Sequence, residues 1–352
     1  MKKVLIISAV AALALVSCAK VTDQYVGAPE SREIAFQALT TPQSKAAVQG
    51  TTFPTANSME VRAYQTAPTA GDYFDKTTFV YQYLNGAVDA TNNPNYWGGA
   101  TPRYWPLGTA SLNFFAVSGA SVDAADITIA SELASAAVEY KTTGNTSTNT
   151  YSQTTQSDIM YAFGRQSVGV SGNNLTFPDV DMEFKHALAL VKFQVKAGSA
   201  DSKNINITNI VVNGAKYTGS LALANNAAAA KAASGDVATT VTWTPDSPVD
   251  NVTVPNSAIG ALDDASFNPA DGGAEGTWAC LMIVPGTGNG ISEFVINYTL
   301  NGKAYSYTYD PSLANTVAGT VYTYRITMTL HEIQIDPRVT EWTGTPTAVP
   351  IP

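Results

Sequence analysis

The chain has 352 residues, of which only 13% are charged, and its formal net charge at pH 7 is −9. An acidic surface with so few charges argues against a nucleic-acid partner and against binding to anionic lipid through a basic patch. The length exceeds what one hydrophobic core usually organises, so two domains are expected.

The N-terminus is typical of an exported lipoprotein. Two lysines precede an apolar run over residues 4–16, and this run is shorter than the roughly 20 residues that a membrane-spanning helix needs. The run ends in a motif that resembles a lipobox, with Cys18 in the acylated position. We therefore predict a lipoprotein signal peptide at 1–17 and a lipid anchor on Cys18. The alternative is an ordinary signal peptide that has a cysteine near its end.

The second cysteine has no predicted partner. Once Cys18 is acylated, Cys280 cannot form an intramolecular disulfide. Because Cys280 lies in an apolar run, we expect a buried, inert thiol, with a reactive thiol as the alternative. Residues 18–31 lack apolar periodicity and are predicted to form a lipidated tether.

Alternation of apolar and polar residues dominates the remaining chain and predicts strands with one buried face. The clearest case is 321–330, whose apolar residues on one face are Tyr322, Tyr324, Ile326, Met328 and Leu330. Asn-Gly dipeptides at 85–86, 213–214 and 301–302 predict two-residue hairpin loops. Together these patterns predict an all-β fold.

Other segments interrupt the simple alternation. The apolar parity changes within 182–195 and again after Leu330, which predicts a bulge or a strand that changes sheets. Residues 124–138 and 220–233 are rich in alanine, so short helices or loop insertions are expected there. The polar stretch 142–157 is predicted to be an exposed loop.

The residue types that catalysis or metal binding would require are scarce. His186 lies on the apolar face of a strand and His331 follows a strand, so we expect packing roles for both. Two carboxylate pairs lie in loop-like stretches without the spacing of a calcium loop, so solvated charge is favoured over calcium. These pairs are Asp123 with Asp126 and Asp263 with Asp264. We predict that the protein is not an enzyme and has no cofactor and no metal site.

Three blocks of sequence resemble one known family. They are Tyr104-Trp105-Pro106 followed by Leu112–Val117, then Phe184–Phe193, and finally Gly319–Ile333 with Val339 and Trp342. In this order they resemble the fimbrillin superfamily, the subunits of type V pili of Bacteroidales. The resemblance implies two antiparallel transthyretin-like β-sandwich domains in tandem. We place them at 32–198 and 199–352, the second ending in a C-terminal tail.

The resemblance also implies a route of assembly. Family precursors are lipid-anchored, reach the outer surface of the outer membrane and are cut by a trypsin-like protease. The cut removes the first strand, and the C-terminal segment of another subunit fills the groove by β-strand addition. The implied partners are thus other pilus subunits, and a host protein or glycan is a further possible partner.

On this sequence the removable strand would be 33–39, with Ile34, Phe36 and Ala38 on one face. Family members usually carry arginine at the cut, whereas the loop at 40–50 has Lys45 as its only basic residue. We predict cleavage after Lys45, which leaves Ala46 as the new N-terminus. Arg32 is the alternative site, but cleavage there would release only the tether.

The predicted donor segment is 343–352, in which Thr347, Val349 and Ile351 would point into the acceptor groove. Three prolines in this tail lack amide hydrogens, so a strand paired on both sides would lose hydrogen bonds there. The tail could instead cap its own C-terminal domain, as in an accessory or tip subunit.

A second functional hypothesis is a surface lipoprotein that does not polymerise. Such a protein would bind glycan through exposed aromatic rings, for which the candidates are Tyr96, Trp97 and Tyr104.

Overall fold

The structure is a computed structural model, and it describes residues 33–40, 58–74, 79–85, 95–99, 101–119, 126–140, 156–171, 174–246, 251–263, 266–268, 279–341 and 349–350. Several predicted features lie outside these ranges. They are the signal peptide and tether, Cys18, Arg32, Lys45, Ala46, Asp123, Asp264, Trp342, Thr347 and Ile351.

Strands make up most of the regular structure in the described ranges, which confirms the all-β prediction. In chain order they are β1 (Phe36–Thr40), β2 (Ser58–Ala67), β3 (Gly71–Asp72), β4 (Phe79–Asn85), β5 (Asn95–Gly99), β6 (Ser111–Ser118), β7 (Ile127–Ile129), β8 (Ser135–Tyr140), β9 (Met160–Ser167), β10 (Gly169–Ser171), β11 (Asn174–Thr176), β12 (Val180–His186), β13 (Ala189–Ala197), β14 (Ile205–Asn213), β15 (Gly219–Asn225), β16 (Thr239–Pro245), β17 (Val252–Pro255), β18 (Ala279–Ile283), β19 (Gly286–Ile291), β20 (Glu293–Leu300), β21 (Lys303–Tyr309), β22 (Leu313–Thr316), β23 (Thr320–Met328), β24 (Ile333–Glu341) and β25 (Val349–Pro350). The helical segments are α1 (Ala227–Lys231), α2 (Asn256–Ile259) and 3-10 turns at Ser131–Leu133 and Ala200–Asn204.

The N-terminal strands form a sheet that closes on itself. Its order is β3-β2-β4-β5-β1-β12-β9-β6, and β2 also pairs with β6, so seven of the strands form a ring. Large side chains fill the interior of the ring, and the rings of Trp105 and Phe114 meet edge to face at 6.1 Å. Both side chains are at most 1% exposed. Burial of this size stabilises the sheet and fixes which face of each strand points inward.

The C-terminal strands form two sheets that pack face to face. One has the order β18-β13-β23-β24-β25 and the other the order β17-β14-β20-β21. Phe294 lies at the centre of their shared core, with its ring 5.0 Å from that of Phe193 and 4.5 Å from that of Tyr324. Burial raises the pKa of the Tyr324 hydroxyl, so this ring stays neutral in the core.

A further sheet combines strands from both halves of the chain. Its order is β16-β15-β8-β7, and β8 pairs with β15 antiparallel, for example Ala136 with Leu223. A core cluster beneath it joins Val117 of β6, Leu221 of β15 and Met282 of β18. The two halves are therefore packed together through a common sheet. The tandem arrangement and the boundary at 198 stay predictions.

The parity change at 182–195 corresponds to a strand that changes sheets, one of the two predicted explanations. β12 belongs to the N-terminal ring, whereas β13, which follows after two intervening residues, pairs with β18 and with β23. At the crossing, His186 Nδ1 lies 2.9 Å from Asp158 Oδ2, and both side chains are at most 2% exposed. His186 is therefore buried, as predicted. Its polar contact with Asp158 fixes the point where the chain passes from one sheet to the other.

The second parity change has a simpler cause. β23 ends at Met328 and β24 begins at Ile333, and the two strands pair antiparallel. Leu330 lies in the turn between them and is 42% exposed. Its predicted place on the buried face of the strand is wrong, because the strand stops before reaching it.

Only one of the three Asn-Gly dipeptides forms a two-residue hairpin loop. Asn301 and Gly302 have φ angles of 52° and 77° and join β20 to β21 as predicted. Asn85 pairs with Asn95, but residues 86–94 lie between the paired strands. At Gly214 the strands on either side belong to different sheets. A Cβ atom at Gly214 would lie 2.7 Å from the Ser292 nitrogen, so glycine is needed there for close approach of two backbones.

The alanine-rich segments are mainly strands, and the predicted short helix is present only in part of 220–233. β8 and β15 alternate buried and exposed residues along their length, and only α1 is helical within 220–233. Cross-strand packing of Leu221 and Leu223 outweighs the helix propensity of the neighbouring alanines.

The end of the polar stretch 142–157 is buried, which corrects the prediction of an exposed loop there. Gln156 is 4% exposed; its Nε2 donates to the Cys280 carbonyl at 3.1 Å, and its Oε1 accepts from the Met282 amide at 2.6 Å. Gln156 thereby binds the edge of β18. Cys280 itself is fully buried, in agreement with the expected inert thiol.

Replacing Phe294 with alanine should lower the free energy of unfolding by about 3–5 kcal/mol, because it removes the ring on which three neighbouring aromatic side chains pack. Tyr305→Ala is the matched control, since Tyr305 lies on the same sheet face but is 40% exposed. We expect it to cost less than about 1 kcal/mol. Guanidinium unfolding curves measure both values, and equal losses would contradict this assignment of the core.

Candidate subunit-exchange site

β1 is an internal strand of the N-terminal ring. It pairs in parallel with β12 at five positions, from Phe36 opposite Val180 to Thr40 opposite Phe184. On its other side Phe36 lies opposite Trp97 of β5. Just before the strand, the Ile34 amide donates to the Arg103 carbonyl at 2.7 Å. The first described segment of the chain therefore fills a position between two strands that are distant in sequence.

The side chains of this segment belong to the ring's core. Ile34 and Phe36 are both fully buried, as the alternation of the sequence requires for residues on one face. The rings of Phe36 and Phe114 meet edge to face at 5.2 Å. Ala38 occupies the register position opposite Met182. Each fully buried large apolar side chain contributes about 1.5–3 kcal/mol, so the segment holds its place mainly through Ile34 and Phe36.

β12 depends on β1 for most of its pairing. Its neighbour on the other side, β9, pairs with it only at Lys185 and His186. The segment Val180–Phe184 therefore has β1 as its registered partner. Without β1 this segment would become a sheet edge above an open apolar slot, and such an edge is a template for another strand.

The C-terminal tail contributes a short edge strand to its own sheet. In β25, Val349 lies opposite Val339 and Pro350 lies opposite Arg338 of β24. Proline is tolerated at an edge because its missing amide can face away from the sheet. This position corresponds to the predicted alternative in which the tail caps its own domain. The donor role of Thr347, Val349 and Ile351 stays a prediction.

Of the three aromatic residues predicted to bind glycan, the structure describes the side chains of Trp97 and Tyr104. Trp97 is 4% exposed and packs in the ring's core, so its predicted exposure is wrong. The alternation of β5 places this position inward, opposite Phe36. Tyr104 is 41% exposed, and its backbone carbonyl accepts a hydrogen bond from the Tyr73 hydroxyl at 2.9 Å. The Tyr96 side chain lies outside what the structure describes.

A polar cleft of about 490 Å³ lies between β9, β12 and residues 235–239. Its walls include Glu183, Lys185 and Arg165. The Arg165 guanidinium donates to the Ala229 carbonyl at 2.6 Å, to Asn113 Oδ1 at 3.1 Å and to the Gly235 carbonyl. Burial lowers the pKa of Arg165, and Asp236 opposes this effect. Through these contacts the Arg165 guanidinium holds α1 and the segment after it against the N-terminal ring.

Asn113 also holds α1 and the residue after it against the N-terminal ring, a role that was not predicted from the sequence. It is fully buried, and its Nδ2 donates to the carbonyls of Ala230 and Ala232 at 2.7 and 2.8 Å. A polar residue within the apolar run 112–117 was the available sign that a buried hydrogen-bonding partner exists.

Within the described ranges, no group of three or more His, Cys, Asp or Glu side chains could hold a metal ion. His331 is exposed in the turn before β24. Among the same residues, no helix has the length and apolar character needed to cross a membrane.

Comparison with known proteins identifies the family. The model of the fimbrillin-like family matches residues 44–342, which is most of the chain. No protein with a curated description matches.

Several solved structures are similar in arrangement but distant in sequence. A fimbrial protein from Bacteroides vulgatus is 15% identical with a TM-score of 0.45, covering 88% of this chain and 99% of its own. A fimbrial assembly protein from Parabacteroides distasonis is 8% identical with a TM-score of 0.40, covering 88% and 96%. A tip fimbrial protein from Porphyromonas gingivalis, truncated at its C-terminus, is 10% identical with a TM-score of 0.41, covering 88% and 100%. On the match of the family model, this chain belongs to the fimbrillin-like family.

Proposed function

We propose that the protein is a structural and adhesive subunit of a cell-surface fimbria of the type V pilus kind. It is exported as a lipoprotein, anchored in the outer membrane through Cys18, and assembled by protease-triggered exchange of β-strands. It performs no bond chemistry, and its partners are other pilus subunits. Membership of the fimbrillin-like family supports this proposal.

The position of β1 is the single observation that carries the assembly step. β1 is the first strand that the structure describes, and the chain that connects it to β2 contains Lys45. Cleavage after Lys45 would separate β1 from the rest of the subunit covalently. Release of β1 would then leave the backbone of Val180–Phe184 without its registered partner.

An empty slot of this kind favours an incoming strand for two reasons. The backbone groups of β12 that β1 satisfies would need new hydrogen-bonding partners. The space left by Ile34 and Phe36 would expose apolar core atoms to water, since both side chains are fully buried. A tail with apolar residues at alternate positions meets both needs, and Thr347, Val349 and Ile351 follow that pattern.

The proposed cut is tested by digesting the purified protein with a lysine-specific protease and sequencing the N-terminus of the product. We expect a new N-terminus at Ala46 and a ladder of SDS-resistant polymers, because this cut separates β1 from β2. Lys45→Gln is the control and should give neither product. An N-terminus at any other position in a polymerising product would exclude Lys45 as the processing site.

The second candidate is a surface lipoprotein that keeps its tail in its own sheet and does not polymerise. The pairing of Val349 and Pro350 with β24 favours it. Its proposed glycan site is reduced to Tyr104 and Tyr96, since Trp97 is buried. Retention on a glycan array by protein that forms no polymer would favour this candidate over the first.

A further inference from the structure

The outer edge of β21 is an unusual surface. β21 is the last strand of the sheet β17-β14-β20-β21, and among the described residues no strand pairs with its outer side. Six of its seven residues are exposed. Natural proteins usually protect such an edge with proline, with several charges or with a bulge. β21 has one charged residue, Lys303, no proline and an unbroken register with β20.

The hairpin determines which backbone groups face outward. Leu300 and Lys303 flank a two-residue loop, so they form a hydrogen-bonded pair, and hydrogen-bonded pairs then alternate along the strands. Lys303, Tyr305, Tyr307 and Tyr309 therefore direct their backbone groups toward β20. The amides and carbonyls of Ala304, Ser306 and Thr308 point away from the sheet.

The sequence of β21 is nearly symmetric about Ser306. Tyrosine precedes and follows Ser306, and the small residues Ala304 and Thr308 lie beyond the two tyrosines. If a second copy of the strand runs antiparallel with Ser306 opposite itself, Ala304 lies opposite Thr308 in both directions. All three outward-facing residues then form hydrogen-bonded pairs, which gives about six backbone hydrogen bonds. A two-fold axis through Ser306 thus satisfies the outward-facing groups of both copies.

The side chains match in the same register. Tyr305 of one copy lies opposite Tyr307 of the other in the non-hydrogen-bonded pairs, where side chains are closest. These tyrosines are 40% and 36% exposed and share the sheet face of Ile296 and Tyr298. The ring of Tyr305 already stacks on that of Tyr298 at 5.6 Å. Pairing would therefore bury the rings of Tyr305 and Tyr307, which extend the aromatic packing of the core to the edge of the sheet.

The charges are also complementary in this register. Lys303 of one copy lies opposite Tyr309 of the other and next to Asp310, so an ammonium group meets an aromatic ring and a carboxylate at each end. The two copies of Lys303 stand at opposite ends, roughly 20 Å apart at the rise of a β-strand, and do not repel each other.

We propose that β21 is a homotypic interface, through which two copies of this chain associate side by side in one continuous sheet. The interface lies on the sheet β17-β14-β20-β21, to which neither β1 nor β25 belongs. It would link subunits laterally rather than head to tail, and it does not depend on proteolysis or on strand exchange.

Cysteine substitution on β21 tests the register directly. In the full chain carrying Cys18→Ser, Ser306→Cys places two thiols opposite each other across the axis, at a Cα separation of about 5.5 Å that suits a disulfide. Thr308→Cys is the matched control on the same strand face, because its two thiols would stand about 13 Å apart. Cys280 is fully buried and should not react. We expect mild oxidation to give at least about tenfold more disulfide dimer from the first variant than from the second.

Sedimentation of unmodified protein provides the second measurement. Ser306→Pro removes an outward-facing amide that β20 does not use, so the fold should persist while the dissociation constant of the dimer rises at least about tenfold. Ser306→Ala keeps the amide and should dimerise normally. Equal cross-linking of both cysteine variants, or a monomer at concentrations near about 1 mM, would overturn the proposal. Dimers that disappear on deletion of 343–352 would overturn it as well, since they would identify the tail as the occupant of the edge.

Discussion

Linking β1 to β12 by a disulfide should abolish polymer formation. Gln37 and Asp181 are register partners in the parallel pair, and neighbouring strands lie close enough, at about 4.8 Å, for a disulfide between their Cα positions. In the double variant Gln37→Cys and Asp181→Cys, protease can cut the chain but the first strand cannot leave. We therefore expect no SDS-resistant ladder from the oxidised protein.

Reduction and a second disulfide serve as controls for this prediction. Adding a reductant should restore the ladder, since the same chain is then free to release β1. The pair Val170→Cys and Leu175→Cys links β10 to β11 at exposed positions away from the slot. It should leave polymerisation unchanged. A normal ladder from oxidised protein with the β1–β12 disulfide formed would exclude release of β1 from the mechanism.

Deleting residues 343–352 should also abolish polymers while leaving the monomer folded. The described pairing of the tail is limited to two positions on β24, so its loss should barely change the unfolding curve. Polymerisation, in contrast, should drop to background, because the proposed donor strand is gone. Polymers that form from the truncated chain would rule out the tail as donor.

Single substitutions in the tail refine this test. Side chains alternate along a donor strand, so Val349 and Ala348 would face opposite sides of the acceptor. We expect Val349→Asp to prevent polymerisation, since it would place a carboxylate in the apolar slot. Ala348→Asp adds the same charge on the other face and should be tolerated. Equal effects of the two variants would show that the tail does not insert as an alternating strand.

The sequence predicted well those strands whose alternation of apolar and polar residues is visible within the strand itself. Alternation located β23 because its inward residues, such as Tyr324 and Ile326, are long apolar side chains on a half-buried strand. Asn301-Gly302 predicted its hairpin because the strands on both sides had matching alternation. The same dipeptide failed at Gly214, where contact with the Ser292 backbone rather than a turn requires glycine. A dipeptide does not distinguish these two reasons for glycine.

The site was predictable only in part, for a related reason. Alternation within 33–39 was enough to place Ile34 and Phe36 on one buried face. It could not show that β1 runs parallel to β12, because partners so far apart in sequence leave no local pattern. The burial of Trp97 was missed for the same reason, since Trp97 lies opposite Phe36 of β1, which is distant in sequence. The role of Asn113 depends on α1, which lies more than a hundred residues further along the chain.

The sheet that joins β8 to β15 has a consequence for biogenesis. While the chain emerges from the ribosome, β8 can pair with β7 but not with β15 until residues 219–225 have appeared. β13 must wait still longer, for β23 near the end of the chain. The polypeptide therefore reaches its final topology only after nearly the whole chain has emerged. On the proposed export route, such a subunit would cross the envelope before it acquires its final topology.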